Sequence, residues 1–196
     1  MENITKSTMN DVFLNVRKAY RLLFDYQTRL LSLGKYIGDY FSCSYYGGWP
    51  LFSDASPKAG KGSLGNWAWD WLNLYAYAFY FGSKEINDEE IFFEIRIYSD
   101  TGFFDSQGKN ELDTNTFADV NKSQTKIVLI ASSLGWEPNE LLKNFISEKA
   151  EYKFNDEENN ICAKSYDLSE FYTEEETNRN LYDFTIYCKN NGIKIK

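Results

Sequence analysis

Residues 67–82 read WAWDWLNLYAYAFYFG. Bulky rings occupy most odd positions (Trp67, Trp69, Trp71, Tyr75, Tyr77, Phe79, Phe81). The even positions hold mostly smaller residues, among them Ala68, Asp70, Ala76 and Ala78. A period of two is that of a β-strand with unlike faces, so the segment predicts an aromatic-faced strand at the centre of the fold. Sixteen residues at 3.3 Å each would reach about 53 Å, past the usual strand length, so a bulge or break is expected near Asn73. A partly helical Trp67–Tyr75 is the alternative.

After a polar turn at Ser83–Glu90 comes IFFEIRIYS. It places Ile91, Phe93, Ile95 and Ile97 on one face and Glu94 and Arg96 on the other, a half-buried strand that pairs with the aromatic one as a hairpin. Thr125–Ser132 scarcely alternates and reads as a central strand. Glu151–Phe154 and Ile161–Leu168 flank the acidic turn Asn155–Asn160 as a second hairpin. Asp100–Ser123 is a polar connection beyond ordinary loop length, hence functional or mobile.

Three helices frame these strands. Met9–Phe41 places Phe13, Val16, Tyr20, Leu23, Leu30 and Ile37 at helical spacing, with Gly34 and Gly38 expected to bend or end it early. The stripe contains Gln27 and Gly34 and holds no strict heptad, so one helix across a sheet is expected before a coiled-coil dimer. Pro138 opens a helix to Lys149. Thr173-Glu-Glu-Glu176 is a capping box for a last helix that buries Leu181, Phe184, Tyr187 and Cys188 and stops at Gly192. The order is not a regular βαβ alternation. The expected fold is α+β: one domain over 1–196, a mostly antiparallel sheet of about five strands, and the long N-terminal and C-terminal helices on one face.

The chain of 196 residues has 18% aromatics and no histidine. Imidazole catalysis, Ser-His-Asp and Cys-His couples and HExxH zinc sites are thereby excluded. A net charge of −8 opposes a broad grip on nucleic acid and favours a basic partner, if it does more than keep an aromatic-rich protein soluble. Cys43, Cys162 and Cys188 form no CxxC pair and read as reduced thiols of a cytoplasmic protein. No signal peptide or membrane helix is expected.

The loop Ala55–Ser63 resembles a phosphate cradle only loosely: Ala55 stands where a Walker loop needs glycine, and Gly62 where it needs a hydroxyl. Lys58 and Lys61 keep it a candidate anion contact, against a plain surface loop. Asp70, Glu94 and Asp100 are the candidate catalytic carboxylates, able to share a divalent metal if adjacent strands bring them together. A Glu94–Arg96 pair on a solvated face explains the same letters more simply. Asp70 sits in water at a sheet edge, or its burial calls for a cationic or backbone partner. The acidic loop from Asp100 to Asp113 departs from an EF-hand at once, and solvated charge is its plain reading.

Trp67, Trp69, Trp71, Tyr75 and Tyr77 are binding candidates if the aromatic face looks outward, and core if it looks inward. Trp49, Tyr45, Tyr46 and the Ser53–Ser63 loop would line the rim. The functional expectation is therefore an acidic intracellular protein-binding module of immunity or inhibitor type, without cofactor, oligomeric state open. The alternatives are a metal-dependent enzyme acting on phosphodiesters or nucleotides, and a small-molecule pocket closed by the Ser53–Ser63 loop.

Overall fold

The computed structural model describes residues 6–51, 53, 68–72, 74–106, 114–133, 151–155 and 160–196. The chain divides into two compact units, Met1–Ile37 and Gly38–Lys196. The first is the body of helix α1, which runs from Lys6 to Phe41 and so enters the second unit by one turn. Thirty-six residues at 1.5 Å each make it about 54 Å long. Neither glycine ends it. Gly34 has open space around it, while a Cβ on Gly38 would stand 2.6 Å from the Phe81 ring. Gly38 thus costs about 1 kcal/mol of helix propensity and permits a contact no other residue allows. The helix closes at Ser42 (φ 56°), where Cys43 N–H donates to the Gly38 carbonyl at 2.9 Å. Among the described residues no helix is long and apolar enough to cross a membrane.

The second unit is built on a six-stranded sheet: β1 (Gly47–Pro50), β2 (Ala76–Ile86), β3 (Glu89–Tyr98), β4 (Lys126–Ser132), β5 (Glu151–Asn155) and β6 (Asn160–Asp167). Its order is β1-β2-β3-β4-β6-β5, and every neighbouring pair is antiparallel. The expected α+β class holds, with one strand more than the five foreseen. The extra one is β1, whose four residues GGWP carry no alternation to detect. The last helix, α2 (Glu174–Asn190), is capped as expected, with Thr173 Oγ1 accepting from Glu176 N–H at 3.2 Å and Gly192 at φ 90° behind it. The expected helix at Pro138–Lys149 lies outside the described residues.

The hairpin of aromatic strand and IFFEIRIYS is present, though tighter than foreseen. β2 and β3 turn through Asn87-Asp88 alone, both at positive φ, as a two-residue hairpin requires. The break in the aromatic segment is also real. Ala68–Trp71 is a 3-10 turn, Leu74 sits at φ 63°, and extended pairing begins only at Ala76. Four alternating letters could not separate a strand from a turn.

From Ala76 onward the odd-numbered rings face inward. Phe79 and Phe81 are buried, and Phe81 lies 5.7 Å from Phe93. Phe93 meets Phe41 from the end of α1 at 4.7 Å and Phe184 of α2 at 6.4 Å, so this face is helix-covered core.

The opposite face departs from expectation. It is not half-solvated: Glu94, Arg96 and Tyr98 are as buried as the isoleucines between them. Beside this row Ala76, Val128, Ile130, Ile161 and Ala163 form a second apolar layer, packed by Phe103, Phe104 and Phe117. The connection after β3 supplies that cover, and its described part is ordered by local bonds. Asp100 Oδ1 accepts from Gly102 N–H at 2.7 Å, and Ala118 N–H donates to the Gly102 carbonyl at 3.1 Å. Three phenylalanines within a polar stretch were the signal for it.

Candidate functional site

β1 determines what the sheet edge presents. It pairs with β2 through Gly47↔Tyr80, Gly48↔Phe79, Trp49↔Ala78 and Pro50↔Tyr77. A Cβ on Gly48 would stand 2.5 Å from the Ala78 carbonyl oxygen and 2.6 Å from the Tyr77 ring, so only glycine lets the two strands approach. Next along β2 the register slips between Tyr80 and Ser83, and Gly82 takes φ 69°. The bulge coincides with the end of β1 pairing.

Aromatic side chains converge on this edge. Tyr46 is 80% exposed, with its ring 5.7 Å from Tyr80, and Trp49, half-buried, lies 6.3 Å from the same ring. Tyr45, 57% exposed, leans on Phe79 and Phe81. Next to them an open cleft of about 570 Å³ is lined by residues including Ser44, Tyr46, Tyr80, Gly82 and Lys84. Lys84 Nζ donates to the Phe41 carbonyl at 3.3 Å, one of the unsatisfied carbonyls of the α1 terminus. The Cys43 thiol in the same cleft is pushed up by burial against the pull of Lys84, and is therefore held protonated. Burial, then Glu90, Tyr46 and Glu94, also raise Tyr80. The Tyr80 hydroxyl is thereby kept a neutral donor.

Behind the rim lies the buried ion pair. Arg96 Nε donates to Glu94 Oε1 at 2.6 Å, with each side chain 5% exposed. They stand two residues apart on β3, hence on one face. The register places Tyr80 across from Glu94, and Ala78 across from Arg96 with Trp49 beyond it. Burial pushes the Glu94 carboxyl up, and Arg96 pulls it back. For Arg96 burial acts downward, but Glu94 and then Tyr98 more than offset it and keep the guanidinium charged.

The candidate carboxylates do not gather. Glu94 is engaged by Arg96, and Asp100 caps its own turn at Gly102. Asp70 is buried in the 3-10 turn rather than solvated at a sheet edge. Among the described residues no group of three or more Asp, Glu, Cys or His could hold a metal ion.

The aromatic candidates divide. Trp69 is buried, packing on Tyr75 at 4.7 Å and stacking on Phe117 at 5.9 Å, so both Trp69 and Tyr75 serve the interior. Burial and then the Asp100 charge drive the Tyr75 hydroxyl well above its usual range. Trp71 is 57% exposed and Trp49 belongs to the rim. Trp67, Lys58, Lys61 and the loop from 54 to 63 lie outside the described residues. Tyr80 and Lys84 were not foreseen, because their role depends on the bulge. A third cluster joins β5, β6 and α2: Lys164 Nζ meets Glu151 at 2.6 Å and Asp183 at 2.9 Å, and Asp183 also accepts from Tyr166 Oη at 2.9 Å. One ammonium thus holds two carboxylates, and the contacts fasten the helix to the sheet.

A family model with the description PM0109 matches residues 6–193. No curated protein and no solved structure matches the chain.

Proposed function

The chain belongs to the PM0109 family, a membership that brings no activity with it, and we propose that it is a protein-binding module of inhibitor or immunity type. Its docking surface is the β1–β2 edge. The observation that carries this reading is the outward display of Tyr45, Tyr46, Tyr80 and Trp49 beside an open cleft, on strands fixed by the Gly48 contact. Tyr and Trp give large contact area at low entropic cost and dominate interface energetics. The net charge of −8 selects a basic partner and speeds its encounter. Residence in a reducing cytoplasm belongs to the same reading, supported by the three unpaired thiols Cys43, Cys162 and Cys188.

The test is complex formation with the products of neighbouring genes, followed by Tyr46→Ala and Trp49→Ala. Each substitution should weaken the complex at least tenfold (about 1.4 kcal/mol) while melting stays within a few degrees of the parent. Unaltered affinity in both variants would remove the edge as the docking surface.

The metal-dependent phosphodiester reading has less support: Arg96 engages Glu94, and among the described residues no group of three carboxylates could hold a metal ion.

A further inference from the structure

The first unit has a surface of its own. With Met9 taken as heptad position a, the a positions of α1 are Met9, Val16, Leu23, Leu30 and Ile37, and the d positions from Val12 to Tyr40 are all apolar or aromatic. Gln27 and Gly34, which interrupt the stripe counted from Phe13, fall at e in this register. The seam is therefore unbroken through five heptads, with the 3.5-residue period that helix-on-helix packing requires.

Charge obeys the same register. From Thr8 to Gln27 the charged residues are Asp11, Arg17, Lys18, Arg21 and Asp25, and each stands at b, c or f. The a, d, e and g positions carry none, so two such helices meet without like-charge opposition. Over this stretch the seam and its flanks are uncovered: Val12, Val16 and Leu23 at d and a are exposed, as are Phe13 and Tyr20 at e and Leu22 at g.

We propose that the seam of α1 over Met9–Tyr26 is a self-association surface, and that the same seam of a second copy of this chain occupies it. The area suffices. At 150–250 Å² per aromatic and somewhat less per aliphatic side chain, the exposed fractions amount to roughly 600 Å² per helix. A pair then buries about 1,200 Å², the lower bound for a stable interface. A lipid surface would need an apolar face and basic flanks, but not a heptad period, and it would not favour Asn15 and Gln27 at the g and e flanks. The chain's net charge of −8 opposes an anionic bilayer as well. The seam shares no residue with the aromatic β1–β2 edge, so either can fail without the other.

Sedimentation equilibrium of the full chain between 1 and 100 µM tests the proposal. The expected species is a dimer of the 22.9 kDa chain. Val16→Glu with Leu23→Glu should weaken dimerisation at least 100-fold with the far-ultraviolet dichroism of the helix retained. Leu23→Ala, which preserves helix propensity, should weaken it about tenfold and provides the readout if the double variant loses helix. Arg17→Glu with Arg21→Glu, at b and f, should change it less than threefold. A monomeric parent at 100 µM overturns the proposal. So does a dimer that survives the seam substitutions, equal loss in the b/f variant, or a monomer that floats with phosphatidylserine vesicles.

Discussion

Glu94 and Arg96 illustrate what two letters can hide. On a strand, oppositely charged residues at i and i+2 share a face and reach each other, so their spacing admits a solvated pair or a buried one. Burial turns a weak surface pair into a costly site when one member is lost. Arg96→Met should destabilise the protein by about 3–5 kcal/mol, because the Glu94 carboxylate then lies uncompensated. The loss should depend on pH in a defined direction. Burial holds the folded-state pKa of Glu94 above the ordinary 4.5, so its contribution is fully present below pH 4.5 and is lost as pH rises through the folded value. Without Arg96 the folded value moves higher still. Denaturant melts at pH 5 and pH 8 should therefore differ more in Arg96→Met than in the parent, with the variant weaker at pH 8. An equal deficit at both values would mean that Glu94 has found another cation. Glu94→Gln with Arg96→Met should recover much of the loss.

At the scale of elements, β1 depends on one contact. Gly48→Ala should cost about 1–3 kcal/mol through overlap with the Ala78 carbonyl, and it should loosen the aromatic rim together with any complex formed there. Gly47→Ala is the control, since its Cβ would meet Trp49 at an ordinary 3.8 Å. Thermal melts of the two variants should separate clearly, and indistinguishable melts would deny Gly48 its role. Elements with an unambiguous period or cap were legible in the sequence: β3 from its isoleucines, β4 from missing alternation, and α2 from Thr173 and Glu176. β1 was not, because four residues with two glycines and a proline show no period. Residues 68–71 alternate in letters but coil in space, since the chain reverses at Leu74. Of the proposed rim, Tyr45, Tyr46 and Trp49 could be read as candidates from the sequence, whereas Tyr80 acquires its place only from a bulge that no local pattern announces. The apolar layer that includes Tyr98 depends on Phe103, Phe104 and Phe117, which follow it by five residues or more.

In the molecule as a whole, the described residues cover both faces of the sheet, which leaves its margins for recognition. β4 lies between β3 and β6 with nearly every side chain buried. Its amides should exchange with deuterium only through global unfolding, more slowly than those of β1 or β5. Native-state exchange in low denaturant checks this, and comparable rates in β1 and β4 would show a molecule that opens elsewhere first. The margins themselves are poor templates for growth. β1 offers four residues and finishes at Pro50, which has no N–H to donate, and β5 places Glu151 and Lys153 on the far rim. A ladder that ends in an imino acid at one border and a charged rung at the other does not propagate. Crowded copies are thus kept from stitching into ribbons, and concentrated solutions should stay clear of fibres for as long as the native sheet stands.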